Sequence, residues 1–201
     1  MRIYGEKSVS AAQPGPSDYD LSSRPKTTAY VDWPITTSIT QTHVLLYSPD
    51  VSSIVSEIVN QAGWTSGNPM GFIIEWVSGS GSRWVESIYT SSEYAAISGH
   101  DGVVPAIEVR GHLPPSPPAP PPTPPPVLAY STWSVESDLN SAEENAQTGS
   151  MYLTSSDLEL PFDGSTQQVI GIVFSSVDVD TTSTIANSHL GTIAATLESQ
   201  D

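Results

Sequence analysis

The chain has 201 residues, with 22 acidic against 6 basic side chains, a formal charge of −16, 18 prolines and no cysteine. That balance is the wrong sign for a binder of phosphate backbones, and the lack of cysteine excludes disulfides and thiolate metal sites. No apolar run approaches the ~20 residues that a membrane-spanning helix needs, whereas 37% hydrophobic residues suffice to bury a core.

Taken in chain order, runs that alternate or are rich in β-formers, bounded by turn residues, predict strands. The first segment has them near Arg2–Gly5, Thr27–Trp33, Thr42–Tyr47, Gly71–Val77, Arg83–Tyr89 and Val104–Val109. Between the third and fourth, Ser48-Pro49-Asp50 reads as an N-cap, a first-turn proline and a first-turn acid. Val51, Ile54, Val55, Ile58 and Val59 then form one apolar stripe, so a short amphipathic helix ending near Gly63 is expected. Ser78-Gly-Ser-Gly-Ser82 reads as a hairpin loop joining the strands on either side. Further strands follow near Ala129–Val135, Ser150–Thr154, Asp157–Leu160, Gln168–Phe174 and within Ser188–Leu197. The predicted fold class is therefore all-β: a jelly-roll-like β-sandwich with one short helix, split by a polyproline II linker.

That linker holds ten of the 18 prolines, between Pro114 and Pro126. A proline run lacks backbone donors and is confined near φ −65°, so it favours polyproline II. Thirteen residues at ~3.1 Å each give a semi-rigid rod of roughly 40 Å. Its Ser-Pro, Ala-Pro and Thr-Pro steps resemble the hydroxyproline-rich glycoproteins of green algae and plants. The resemblance implies O-linked glycans on Pro115, Ser116, Pro117, Pro118, Pro120, Pro121, Pro122, Thr123, Pro124 and Pro125. No Asn-x-Ser/Thr sequon occurs.

The rod divides the charge unequally. Residues 1–113 hold all six bases and eleven acids, net −5, while residues 127–201 hold eleven acids and no base, net −11. An unopposed −11 repels itself and favours a partner surface, a cation or both. Both ends of the chain are strand-like, with no apolar leader before Met1-Arg-Ile-Tyr-Gly5. Such cut edges point to a mature product or an excised repeat.

Ser155–Gly164, Gln167–Val179 and Thr184–Ser199 resemble the front half of a secreted, tandemly repeated β-sandwich module similar to the DNRLRE-type carbohydrate-binding modules. Ile3–Ser8, Ser22–Trp33, Ser48–Tyr89 and a strand near Pro105–Val109 resemble its back half. The halves are transposed here. The expected organisation is thus a back part (1–113), a polyproline II linker (114–126) and a front part (127–201). The front part either folds back on the same chain or, as a stiff rod favours, completes the sandwich of the next subunit.

Two candidate sites follow. Glu143, Glu144, Asp157 and Glu159 offer hard oxygen ligands suited to Ca²⁺, and the resembled repeat also carries an acidic Ala-Glu-Glu stretch before its Ser-Ser-Asp-Leu-Glu-Leu strand. Among the tryptophans, Trp64 and Trp133 are candidates for stacking on sugar rings. The histidines His43, His100, His112 and His189 show no metal-binding spacing, and neither a nucleophile elbow nor a phosphate-binding glycine pattern is present. The expectation is a non-enzymatic, extracellular or cell-surface structural protein that forms head-to-tail homopolymers and carries glycans. The alternative is a carbohydrate-binding module.

Overall fold

The computed structural model describes residues 1–34, 44–81, 83–86, 106–112, 128–155, 157–179 and 184–195. The proline tract with its prospective glycosylation sites, His43 and His100, and the outer parts of several predicted strands lie outside the described residues. Within them the chain is all-β and sandwich-like, with thirteen strands and one α-helix.

The first sheet runs β2 (Lys26–Asp32), β1 (Arg2–Glu6), β4 (Met70–Glu75), β12 (Thr166–Phe174), β8 (Ser141–Asn145) and β9 (Met151–Tyr152), with β11 (Phe162–Asp163) also paired to β12. The second runs β3 (Val44–Tyr47), β13 (Thr184–Ala195), β6 (Ala106–His112) and β7 (Leu128–Ser134). A two-stranded ribbon joins β5 (Arg83–Glu86) to β10 (Asp157–Leu160). All these pairings are antiparallel. Because side chains alternate across a strand, Ile3, Ile74 and Ile170 line up across the first sheet and face inward. They meet Ile107 and Val109 of β6, Leu158 and Leu160 of β10, and the helix.

The helix α1 spans Ser52–Val59 and buries Ile54, Val55, Ile58 and Val59, so the apolar stripe is as expected. Its start differs. Ser48, Pro49 and Asp50 precede the helix, Val51 occupies the N-cap position, and no acid lies in the first turn. Asp50 instead accepts N–H bonds from Ser52 at 2.9 Å and Ser188 at 2.8 Å, which ties the helix entry to β13. Glu57 on α1 accepts the Thr28 and Ala29 N–H groups at 2.9 and 2.7 Å. Those donors belong to edge strand β2, and occupying them blunts that edge against pairing with another chain.

Two further expectations change. Residues 78–82 do not close a hairpin, because β4 pairs with β1 and β12 whereas β5 pairs with β10. Residues 141–145, expected only as an acidic stretch, form β8, a strand buried on both faces up to Glu144. And the two segments are closed within one chain: β12 lies between β4 and β8, β10 pairs with β5, and β13 lies between β3 and β6. Within this single chain the second segment folds back on the first. The reason lies at the two ends of the proline tract, where His112 and Leu128 are register partners in β6 and β7. Paired residues in an antiparallel ladder stand ~5 Å apart, so the chain leaves and re-enters the sheet at neighbouring points rather than roughly 40 Å apart.

A third layer covers the outer face of the first sheet. Leu21, from the segment between β1 and β2, packs on Ile73, Ala142 and Val169. Glycines make room for this strap. A Cβ on Gly171 would collide with the Leu21 side chain, and one on Gly71 would stand 3.1 Å from Ala11 Cβ.

Candidate functional site

The four predicted calcium ligands are not brought together. Glu143 and Glu144 are neighbours on one strand and must point to opposite faces. Glu144 faces outward beneath the strap, fully buried. Its Oε2 accepts the N–H groups of Leu21 at 2.7 Å and Ser22 at 2.9 Å, which fastens the strap to the sheet.

Glu143 faces inward. It is the register partner of Ile170 and so extends the row Ile3, Ile74, Ile170. With 3% of its surface exposed, its carboxyl sits at the edge of an apolar core. Oε1 accepts the Glu159 N–H at 2.6 Å, and the two carboxyls are also hydrogen-bonded to each other. Two carboxylates cannot both keep their charge at such a place, because burial and like charge both favour the neutral form. Burial, reinforced by Glu159, pushes Glu143 up to about 9. Burial also raises Glu159, to which Asp157 and Asp163 add repulsion. Among the described residues, no group of three or more His, Asp or Glu side chains is placed to hold a metal ion.

The tryptophans also separate. Trp64 is buried at 6% exposure in the main core, which leaves its ring no open face for a sugar. Trp133 is partly buried against the same core. The open aromatic surface lies elsewhere, in a cleft of about 400 Å³ lined in part by Trp33, Trp76, Pro34, Pro161, Asp32 and Ser78. Trp33 is itself buried, so Trp76 supplies the more accessible ring. Its indole N–H donates to the Gly79 carbonyl at 3.3 Å, and Phe162 packs against it edge-on at 5.8 Å. Sequence pattern placed Trp76 inside a strand. The strand ends at Glu75, and the glycine- and serine-rich stretch that follows was the available signal that residue 76 belongs to a loop.

Comparison with protein-family models, curated proteins and solved structures finds no match.

Proposed function

We propose that the protein is the structural subunit of an extracellular filament, with glycans O-linked to its proline tract and subunits joined head to tail by sandwich complementation. The observation that carries this reading is the position of β12. This strand comes from beyond the proline tract, yet it lies between β4 of the first segment and β8. Five register pairs, from Ile170–Ile74 to Phe174–Met70, join it to β4. Neither segment buries its apolar face without the other. The surfaces that close one chain on itself are therefore equally suited to join it to the next, by exchange of residues 128–195 across a 15-residue connection. A heterologous exchange that does not close propagates as a fibre. The unopposed acids of the second segment keep such a fibre soluble.

The test compares the full chain with a variant whose proline tract is cut to a short turn. Because His112 and Leu128 are already paired, the shortened chain should close as a monomer. The full chain should show concentration-dependent growth by light scattering and filaments by negative-stain microscopy. A full chain that stays a compact monomer at every concentration, with or without calcium, would rule the filament out.

A second reading, a carbohydrate-binding module, is favoured by the cleft. Its volume falls in the range of small-molecule sites, and it combines an indole face with a carboxylate and a hydroxyl. Trp76→Ala should lower affinity for a bound glycan by roughly tenfold or more, about 1.4 kcal/mol per factor of ten. Titration calorimetry against glycan fragments would show this. Trp133→Ala serves as the comparison, and a greater loss there would move the site away from the cleft.

A further inference from the structure

The tract from Pro114 to Pro126 has the chemistry of a ligand. Its prolines have no backbone N–H, so it offers rings and carbonyl acceptors and few donors. Only Ser116, Ala119 and Thr123 interrupt the prolines, and none of these residues is charged. A polyproline II segment is extended before it binds, so it loses little conformational freedom on docking. Such segments are recognised by aromatic-lined grooves, and their unpaired carbonyls call for donors at the groove's rim.

The cleft that follows β4 has that character. Trp33 is buried in it, while Val77, 45% exposed, and the half-buried Pro161 give it open apolar surface. Phe162 packs edge-on against Trp76 and holds the ring in place. The Trp76 indole N–H bonds to the Gly79 carbonyl at 3.3 Å, a long bond in an exposed position, so this donor transfers easily to an incoming carbonyl. Ser78 adds an exposed hydroxyl. Asp32 would repel a carbonyl if its charge were unopposed, but Arg2 donates to both its oxygens, at 2.7 and 3.0 Å. A volume of about 400 Å³ suits about one turn of polyproline II, three residues over roughly 9 Å.

We propose that this cleft is a docking site for a polyproline II segment, and that its occupant is the proline tract of a neighbouring copy of the chain. The chain's own tract is tied at both ends, because His112 and Leu128 are paired in β6 and β7, and neither strand contributes a residue to the cleft. A neighbour's tract meets the cleft without that tether. Being uncharged, it also approaches a chain of net charge −16 without repulsion. The inference goes beyond sandwich exchange and does not need it, since a docked tract links closed subunits as well as exchanged ones. It gives the cleft a peptide ligand in place of a free glycan. A proline ring that carries an O-linked glycan cannot enter, so docking falls to a turn of the tract left bare.

The experiment titrates an unmodified synthetic peptide of residues 114–126 into the dilute full chain and follows the indole N–H resonances. The Trp76 resonance should shift to saturation while that of Trp64, buried in the core, stays in place. A Trp76 resonance that does not move would overturn the proposal. Trp76→Ala should weaken peptide binding by roughly tenfold or more. A glycine-serine peptide of equal length, which lacks the preformed helix, should also bind roughly tenfold more weakly or worse. An unchanged affinity in either comparison would overturn the docking. Glycan fragments form a competing arm, and a Trp76 shift with these but not with the peptide would assign the cleft to carbohydrate and refute the proposal. Replacing residues 114–126 of the full chain by glycine and serine of equal length tests the source. If the peptide entered the cleft only after that replacement, the chain would hold its own tract, and the assignment to a neighbour would fall. A chain that binds the peptide but forms no filaments supports the docking and counts only against sandwich exchange.

Discussion

Arg24→Ala is expected to destabilise the protein by about 3–5 kcal/mol, the cost of stranding a buried charge without its partner. Arg24 is 90% buried as a side chain, and it holds the strap with four contacts. Its Nη1 donates to Glu6 Oε2 and the Ala12 carbonyl, each at 2.7 Å, and its Nη2 donates to the Gln13 carbonyl at 3.0 Å and Asp20 Oδ2 at 2.8 Å. Glu6 is almost equally buried. Even with Arg24 present, burial outweighs the attraction and raises the Glu6 carboxyl above its usual range. Without the guanidinium that rise should increase, and a raised carboxyl contributes stability that is lost as pH increases. The gap between native and variant should therefore be widest near pH 7 and narrow toward pH 5, as urea unfolding at the two values would show. Adding Glu6→Gln to Arg24→Ala should recover part of the loss at pH 7, because the neutral amide needs no counter-charge. An Arg24→Ala chain of native stability would mean that the strap contributes nothing to the fold.

Phe174→Ala is expected to cost about 3–5 kcal/mol, the usual range for deleting a buried ring. Phe174 is fully buried and lies edge-on to Phe72, with centroids 6.0 Å apart. The two rings come from opposite sides of the proline tract, on β12 and β4. The cavity therefore opens at the joint between segments rather than within either one. The same truncation at Tyr152, half exposed on the two-residue strand β9, should stay within ~0.5 kcal/mol. Thermal unfolding of both variants checks the contrast. Similar losses would mean that the β4–β12 contact is no more central than the sheet's edge.

The sequence was most informative where one periodicity dominated. The alternation in Thr27–Trp33 and the continuous apolar run in Gln168–Phe174 marked β2 and β12 to within two residues. The stripe from Val51 to Val59 identified the buried face of α1. Helix entry was misjudged because Asp50, a good first-turn acid in isolation, is used instead by the β13 backbone at Ser188. A local signal yielded to a partner 138 positions away.

The acidic stretch Ala142–Glu144 was the least legible. Two adjacent glutamates read as solvent or as cation ligands, because burying either costs several kcal/mol unless something compensates. Both are compensated, by different elements. Glu144 receives two backbone N–H groups from the strap, and Glu143 receives the backbone N–H of Glu159. Neither partner is within ten residues, so no pattern along the chain could reveal them. Trp64 and Trp76 exchanged expected roles for a related reason. Ring exposure depends on where β4 ends and what crosses it, not on local composition.

Composition and pattern by themselves determined that the chain is an acidic all-β protein with one amphipathic helix and a proline tract between two segments of unequal charge. These follow from periods of 2 and 3.6 residues and from the φ of proline, which are local. Only the tertiary structure decided that the segments interleave in one sheet, that Gly171 exists to admit Leu21, and that the acids at 143 and 144 serve opposite faces. Those outcomes depend on contacts between residues distant along the chain, where burial can override the solvation preference of a charged side chain once a donor from another element replaces water.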